Sequence, residues 1–171
     1  GTLFNFSGLK EAALELARTK DTTSNIKLLF VGKGDALDDL QKIINEYHLE
    51  DRVILTGRQP FERMPEFIAA SNICILPAYY NEIMQDIVPI KMYEYMAMGK
   101  PVITTELPGI MKEFGYGNGV IYVSKPEDVL KKAVELIDGG CVEGEGRNAR
   151  KFVEKYNWND IVDTFEGILE E

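Results

Sequence analysis

Ile26–Asp35, IKLLFVGKGD, is the stretch that decides the fold. Apart from Lys27 it is an apolar run up to Val31, and Gly32-Lys33-Gly34-Asp35 then stops it, as a strand ends in a tight loop. Leu37, Leu40, Ile44 and Tyr47 follow at helical spacing. The same strand–loop–helix unit recurs along the chain. Arg52–Thr56 (RVILT) is a second strand, ended by Gly57, and a short helix holding Phe67, Ile68 and Ala70 leads to a third, Ile73–Leu76, closed by Pro77. Val102–Thr104 and Val120–Val123 are two more. Short strands separated by helices predict an α/β chain, a parallel sheet covered by helices on both faces in three layers.

The flanks extend this pattern. Gly8–Lys20 reads as a helix through Leu9, Ala13, Leu16 and Ala17, and Gly1-Thr2-Leu3 before it as the last residues of a strand. The chain therefore reads as cut at its start, with that first strand largely missing. The last third is helical. Ser124-Lys-Pro-Glu127 predicts a capping box, and Val129, Leu130, Ala133, Val134 and Ile137 form a stripe that Gly139-Gly140 stops. One further helix carries Ala149, Phe152, Val153 and Tyr156, and another carries Trp158, Ile161, Val162, Phe165 and Leu169 as core. The acidic tail, Glu166 to Glu171, reads as a solvated face.

In 171 residues, 45% are hydrophobic and 27% charged, which is globular and excludes disorder. Nineteen basic against 28 acidic side chains give −9, so a basic nucleic-acid footprint is excluded while a local phosphate pocket is not. Cys74 sits in an apolar run and Cys141 in a loop, which points to a reducing compartment rather than a disulfide framework. One histidine and no paired cysteines argue against structural zinc. His48 ends its helix, where a cation suits the dipole, and is not expected to be catalytic. No stretch approaches the ~18 apolar residues of a membrane span, and no signal region opens the chain. A cytoplasmic location is expected.

Pro89–Gly99 (PIKMYEYMAMG) carries the chemistry. Proline starts a helix and glycine ends it, and the apolar residues on every side predict a buried one. Lys91 and Glu94 alone are ionisable and, at i,i+3, share a face. Either they pair with each other or that face opens onto a polar cleft. Asp86, one turn ahead, follows a strand and the irregular loop Pro77–Gln85. In parallel α/β sheets ligands bind beyond the carboxyl ends of strands. There the free amides of Ile90 and Lys91 suit an anion, and Asp86 alone reads equally well as a dipole partner.

Asp86–Ile103 (DIVPIKMYEYMAMGKPVI) resembles the signature of family 4 glycosyltransferases, in which an acid, seven residues and a glutamate recur; Asp86 and Glu94 have that spacing. Val31–Asp35, Val53–Gly57, Ala69–Ile73, Leu76-Pro77, Gly109-Ile110, Glu113 and Gly119 resemble further short motifs of the family, so the likeness covers nearly the whole chain. It implies one Rossmann-like half of a GT-B enzyme: residues 1–171 as the nucleotide-sugar-binding C-terminal domain, with a helical tail and the N-terminal acceptor domain absent. The implied activity is retaining transfer of a sugar from a nucleoside diphosphate to a hydroxyl acceptor. The acceptor, a carbohydrate or a lipid-linked one, would arrive through the missing half, as would any peripheral membrane contact. No cofactor or metal is implied.

By the same resemblance, Glu94 accepts from both ribose hydroxyls, Asp86 orients hydroxyls of the donor sugar, and the Ile90 and Lys91 amides hold the diphosphate. Arg58 falls where the backbone meets the base, its side chain reading equally as a solvated loop residue. Gly1 and Thr2 fall in the first strand-to-helix loop at the donor site, where many members carry an arginine and a lysine; Thr2 and Ser7 stand there instead. Lys91 is the obvious substitute cation and Lys10 a weaker one. The first acid is an aspartate, one methylene short of the usual glutamate, and Glu82 can serve instead if its loop folds inward; otherwise it is a solvated carboxylate. A nucleotide-sugar epimerase of the same architecture and a non-catalytic scaffold remain alternatives. The base, the sugar and the acceptor are not legible.

Overall fold

The computed structural model describes residues 1–19, 23, 25–156 and 158–169. The strands are β1 Leu28–Phe30, β2 Val53–Leu55, β3 Cys74–Leu76, β4 Val102–Thr105 and β5 Val120–Val123. The helices are α1 Leu9–Arg18, α2 Leu37–Tyr47, α3 Met64–Ala70, α4 Ile90–Ala97, α5 Pro108–Phe114, α6 Asp128–Asp138, α7 Val142–Val153 and α8 Trp158–Leu169. All strand pairing is parallel, as the alternation of strand and helix requires.

The single expected sheet comes as two ladders, β1-β2 and β3-β4-β5. Gly1–Ser7 runs between them and touches both. Thr2 bridges Lys33 just past β1, and the Leu3 N–H donates to the Lys33 carbonyl at 3.0 Å. Just past β3, the Tyr79 N–H donates to the Phe6 carbonyl at 3.0 Å. One bridged residue makes no ladder, so the two ladders stay separate. Gly8 ends the segment at φ +65, so close to β3 that a Cβ would lie 1.8 Å from the Pro77 carbonyl oxygen.

Alternate strand residues face opposite sides, and the core divides accordingly. Val102 faces Met92 and Met96 of α4, Phe114 of α5 and Ala149 of α7. Its neighbour Ile103 faces Val129 and Ala133 of α6. The β1-β2 pair packs on Leu16 of α1 and Leu40 and Ile44 of α2. This is the Rossmann-like layering expected from the sequence.

Several local expectations differ. The capping box does not form: the Ser124 hydroxyl turns to Glu106 at 3.4 Å, while a turn through Lys125 and Pro126 supplies carbonyls to the Asp128 and Val129 amides. The turn serves the Asp128 and Val129 amides, whereas the box would have joined the Ser124 hydroxyl to the Glu127 amide and the Glu127 carboxylate back to the Ser124 amide. Pro89 is the cap of α4 rather than its first residue, and the helix is not buried all round: Ile90 is 75% exposed. Ile137, Val162 and Leu169 are exposed rather than core. The side chains of Trp158, Ile161 and Phe165, and the tail residues Glu170 and Glu171, lie outside the described residues. His48 caps α2 through its backbone, left-handed at φ 53, its N–H on the Ile44 carbonyl. Cys74 is buried, which pushes its thiol up to about 12, and Cys141 is exposed. Among the described residues no helix is long and apolar enough to cross a membrane.

Candidate active site

The site is built on the first turn of α4 and the loop that delivers it. Thr105 and Gly109 hold the loop from behind: the Thr105 hydroxyl donates to the Ala78 carbonyl, and the Gly109 N–H to the Gln85 carbonyl at 2.7 Å. Asn81 accepts the amides of Ile83 and Met84, folding the loop into a compact turn with Met84 buried. Gly109 then sets Asp86. A Cβ on that glycine would lie 2.8 Å from the Asp86 carbonyl carbon, so only glycine lets the acid's backbone pass.

α4 is seated by Met92 and Met96, both fully buried at i,i+4. The Tyr93 hydroxyl donates to Glu113 at 2.6 Å, and the Tyr93 ring packs on Phe114 and Tyr156. Burial and the Glu113 carboxylate together push the Tyr93 hydroxyl well above the ordinary tyrosine range. These contacts fix the roll of the helix, and that roll decides where Lys91 and Glu94 face.

They face the end of the Gly1–Leu3 segment. Gly1 lies near enough to both side chains to feel the charge of each. Burial lowers the pKa of Lys91, with Glu94 pulling the other way. Of the two readings of this pair, the plain ion pair is not formed. Among the described residues Lys91 and Glu94 form no ion pair within 4.0 Å, and neither side chain has a hydrogen-bond partner. Among the described residues the amides of Ile90 and Lys91 also have no acceptor, while the Met92 N–H bonds the Pro89 carbonyl. One helical turn thus offers two N–H donors, an ammonium and a carboxylate to a ligand.

The other candidates sort themselves around this turn. Asp86 is exposed one turn ahead, and Glu82 is exposed on the loop with no cation within 4.0 Å among the described residues. Arg58 is exposed just past β2 and Thr2 is exposed beside Lys33. Lys10 is engaged, its ammonium 3.3 Å from Asp39 and 3.2 Å from the Asn5 side-chain amide oxygen Oδ1. Sequence reasoning missed Glu11 and Tyr79. The Tyr79 hydroxyl bonds Glu11 across the α1–β3 gap and is pushed up to about 12, first by burial, while Glu11 Oε2 is buried without a partner. No spacing in the chain marks that pair, because the two residues meet only through the fold. Among the described residues no group of three or more His, Cys, Asp or Glu is placed to hold a metal ion.

The layering and the helix-terminal site define an α/β protein of the Rossmann-like type. The model of glycosyl transferases group 1 matches residues 3–152, and the chain belongs to that family. Relatives include an uncharacterized glycosyltransferase of Methanocaldococcus jannaschii, 26% identical over 99% of this chain and 43% of its own length. The alpha-D-kanosaminyltransferase of Streptomyces kanamyceticus is 30% identical over 94% of this chain and 41% of its own. The chain therefore spans less than half the length of these relatives. Among solved structures, Anabaena HepE in complex with UDP superposes with a TM-score of 0.82 at 18% identity, over 99% of this chain and 47% of HepE. TarM of S. aureus, also in complex with UDP, superposes at 0.80 and 21% identity, over 100% of this chain and 34% of TarM. These likenesses show the fold, which is that of GT-B glycosyltransferases.

Proposed function

We propose that this chain is the donor-binding domain of a retaining glycosyltransferase, which moves a sugar from a nucleoside diphosphate to a hydroxyl acceptor. The observation that carries the reading is the first turn of α4, where unpaired amides, Lys91 and Glu94 converge beside Gly1. Each matches one part of such a donor. The Ile90 and Lys91 N–H groups at the positive end of a helix take the diphosphate. The two oxygens of Glu94 take the two ribose hydroxyls. Asp86 orients hydroxyls of the sugar. As the bond from the anomeric carbon to the diphosphate breaks, charge grows on the leaving oxygen, and the Lys91 ammonium stabilises it. Lys91 does this in place of Thr2 and Ser7, which bring no charge, and the reading calls for no metal. The UDP complexes of HepE and TarM support a nucleotide at this kind of site.

The test is calorimetric titration of the chain with UDP and GDP, beside Glu94→Ala. Hydrogen bonds to a charged group contribute about 1.5–3 kcal/mol, so the variant is expected to bind about 10- to 100-fold more weakly. Unchanged affinity in Glu94→Ala, or no binding by the unsubstituted chain at millimolar nucleotide, would overturn the assignment.

A further inference from the structure

From Glu94 the strand ends lead away in one direction. Gly1 comes first, then the end of β1, joined to it by the Gly1 amino group on the Val31 carbonyl at 2.7 Å. The end of β2 follows, joined by the Gly32 N–H on the Gly57 carbonyl at 2.9 Å. Neighbouring strands lie about 4.8 Å apart, so the ends of β1 and β2 stand about one and two such spacings beyond Gly1, in the direction a nucleoside would take from ribose hydroxyls held at Glu94. The diphosphate lies the other way, on α4. Lys33 stands on this line. It is exposed, bridged to Thr2, and its Cε lies 3.9 Å from where a side chain on Gly57 would begin. No carboxylate lies within 4.0 Å of its ammonium among the described residues, whereas Lys10 is held by Asp39.

We propose that Lys33 reads the base of the nucleotide and selects a keto base, uracil or guanine, over adenine. This rests on the donor-site reading of α4. An ammonium only donates. Uracil and guanine offer it a carbonyl oxygen, while adenine puts an amino donor at the position of the guanine carbonyl. Arg58, where the resemblance puts the base, directly follows Gly57, and Lys33 reaches that same glycine from the neighbouring strand end.

The experiment titrates the chain and its Lys33→Met and Glu94→Ala variants with UDP, GDP and ADP. The unsubstituted chain is expected to bind UDP or GDP about 10-fold more tightly than ADP. Lys33→Met lowers that affinity to the ADP level and leaves ADP unchanged, while Glu94→Ala weakens all three alike. An equal loss for all three nucleotides in Lys33→Met, no loss at all, or a native preference for ADP overturns the role of Lys33 and leaves the Glu94 assignment standing. Failure of every nucleotide to bind the unsubstituted chain overturns both.

Discussion

Lys91→Met is expected to lower the affinity of the chain for a nucleoside diphosphate about 100-fold and to abolish the pH dependence of binding. Truncating one partner of a buried charged contact costs about 2–5 kcal/mol, and the lower half of that range corresponds to about 100-fold. The pH dependence has a definite sign. Burial holds the Lys91 pKa below the 10.5 of an ordinary lysine, so the free site begins to lose its proton earlier than a surface lysine would. A bound diphosphate favours the ammonium, so binding takes up a proton wherever the free site has lost one. Affinity therefore falls as pH rises through the Lys91 pKa, and it does not fall in Lys91→Met. Lys10→Met is the comparison, since Asp39 and Asn5 already hold that ammonium. Calorimetry from neutral to alkaline pH measures both effects. A Lys10→Met loss as large as that of Lys91→Met would remove Lys91 from its place in the proposal.

Gly8→Ala is expected to destabilise the chain by about 3 kcal/mol, of which about 1–2 is the left-handed backbone and the rest forced overpacking. The new Cβ would meet the Pro77 carbonyl oxygen at 1.8 Å and the Pro126 Cβ at 2.8 Å, and neither is a flexible side-chain end that can swing away. For a chain of this size the midpoint falls by about 10 °C. Gly140→Ala separates the two terms. That glycine has φ +64 with nothing within 4 Å, so its replacement meets the backbone penalty alone. Equal losses in the two variants, by urea or thermal unfolding, would mean that Gly1–Ser7 is not seated against the end of β3. A larger loss in Gly8→Ala ties the segment, and with it the wall of the site beside Glu94, to the fold.

The readable parts of this protein are those whose physics is local. Apolar runs stopped by Gly32, Gly57 and Pro77 place β1, β2 and β3 because a strand's side chains and its ending turn lie within a few residues of each other. Asp86, Lys91 and Glu94 stand out as candidates for the same reason, one helical turn and its approach being a matter of spacing. Local signals also misled where two of them competed. Ser124 and Glu127 have the spacing of a capping box, yet the Ser124 hydroxyl turns to Glu106, while the turn at Pro126 takes up the Asp128 and Val129 amides instead. The apolar residues of α4 spoke for burial on every side, but burial depends on what stands opposite, and nothing covers Ile90.

The sequence by itself determined the class of fold, the family and the helix that carries the candidate chemistry. Tertiary structure decided everything that depends on which distant residues meet. Among the described residues it left the Lys91 and Glu94 side chains unpaired with each other, committed Lys10 to Asp39, set Asp86 over Gly109, and brought Lys33 to Gly57. It also joined Tyr79 to Glu11 and Tyr93 to Glu113. The physical reason is one of range. Periodicity and turn chemistry act over a few residues, whereas charge pairing, close backbone approach and desolvation act through space, between residues that only the packed chain brings together.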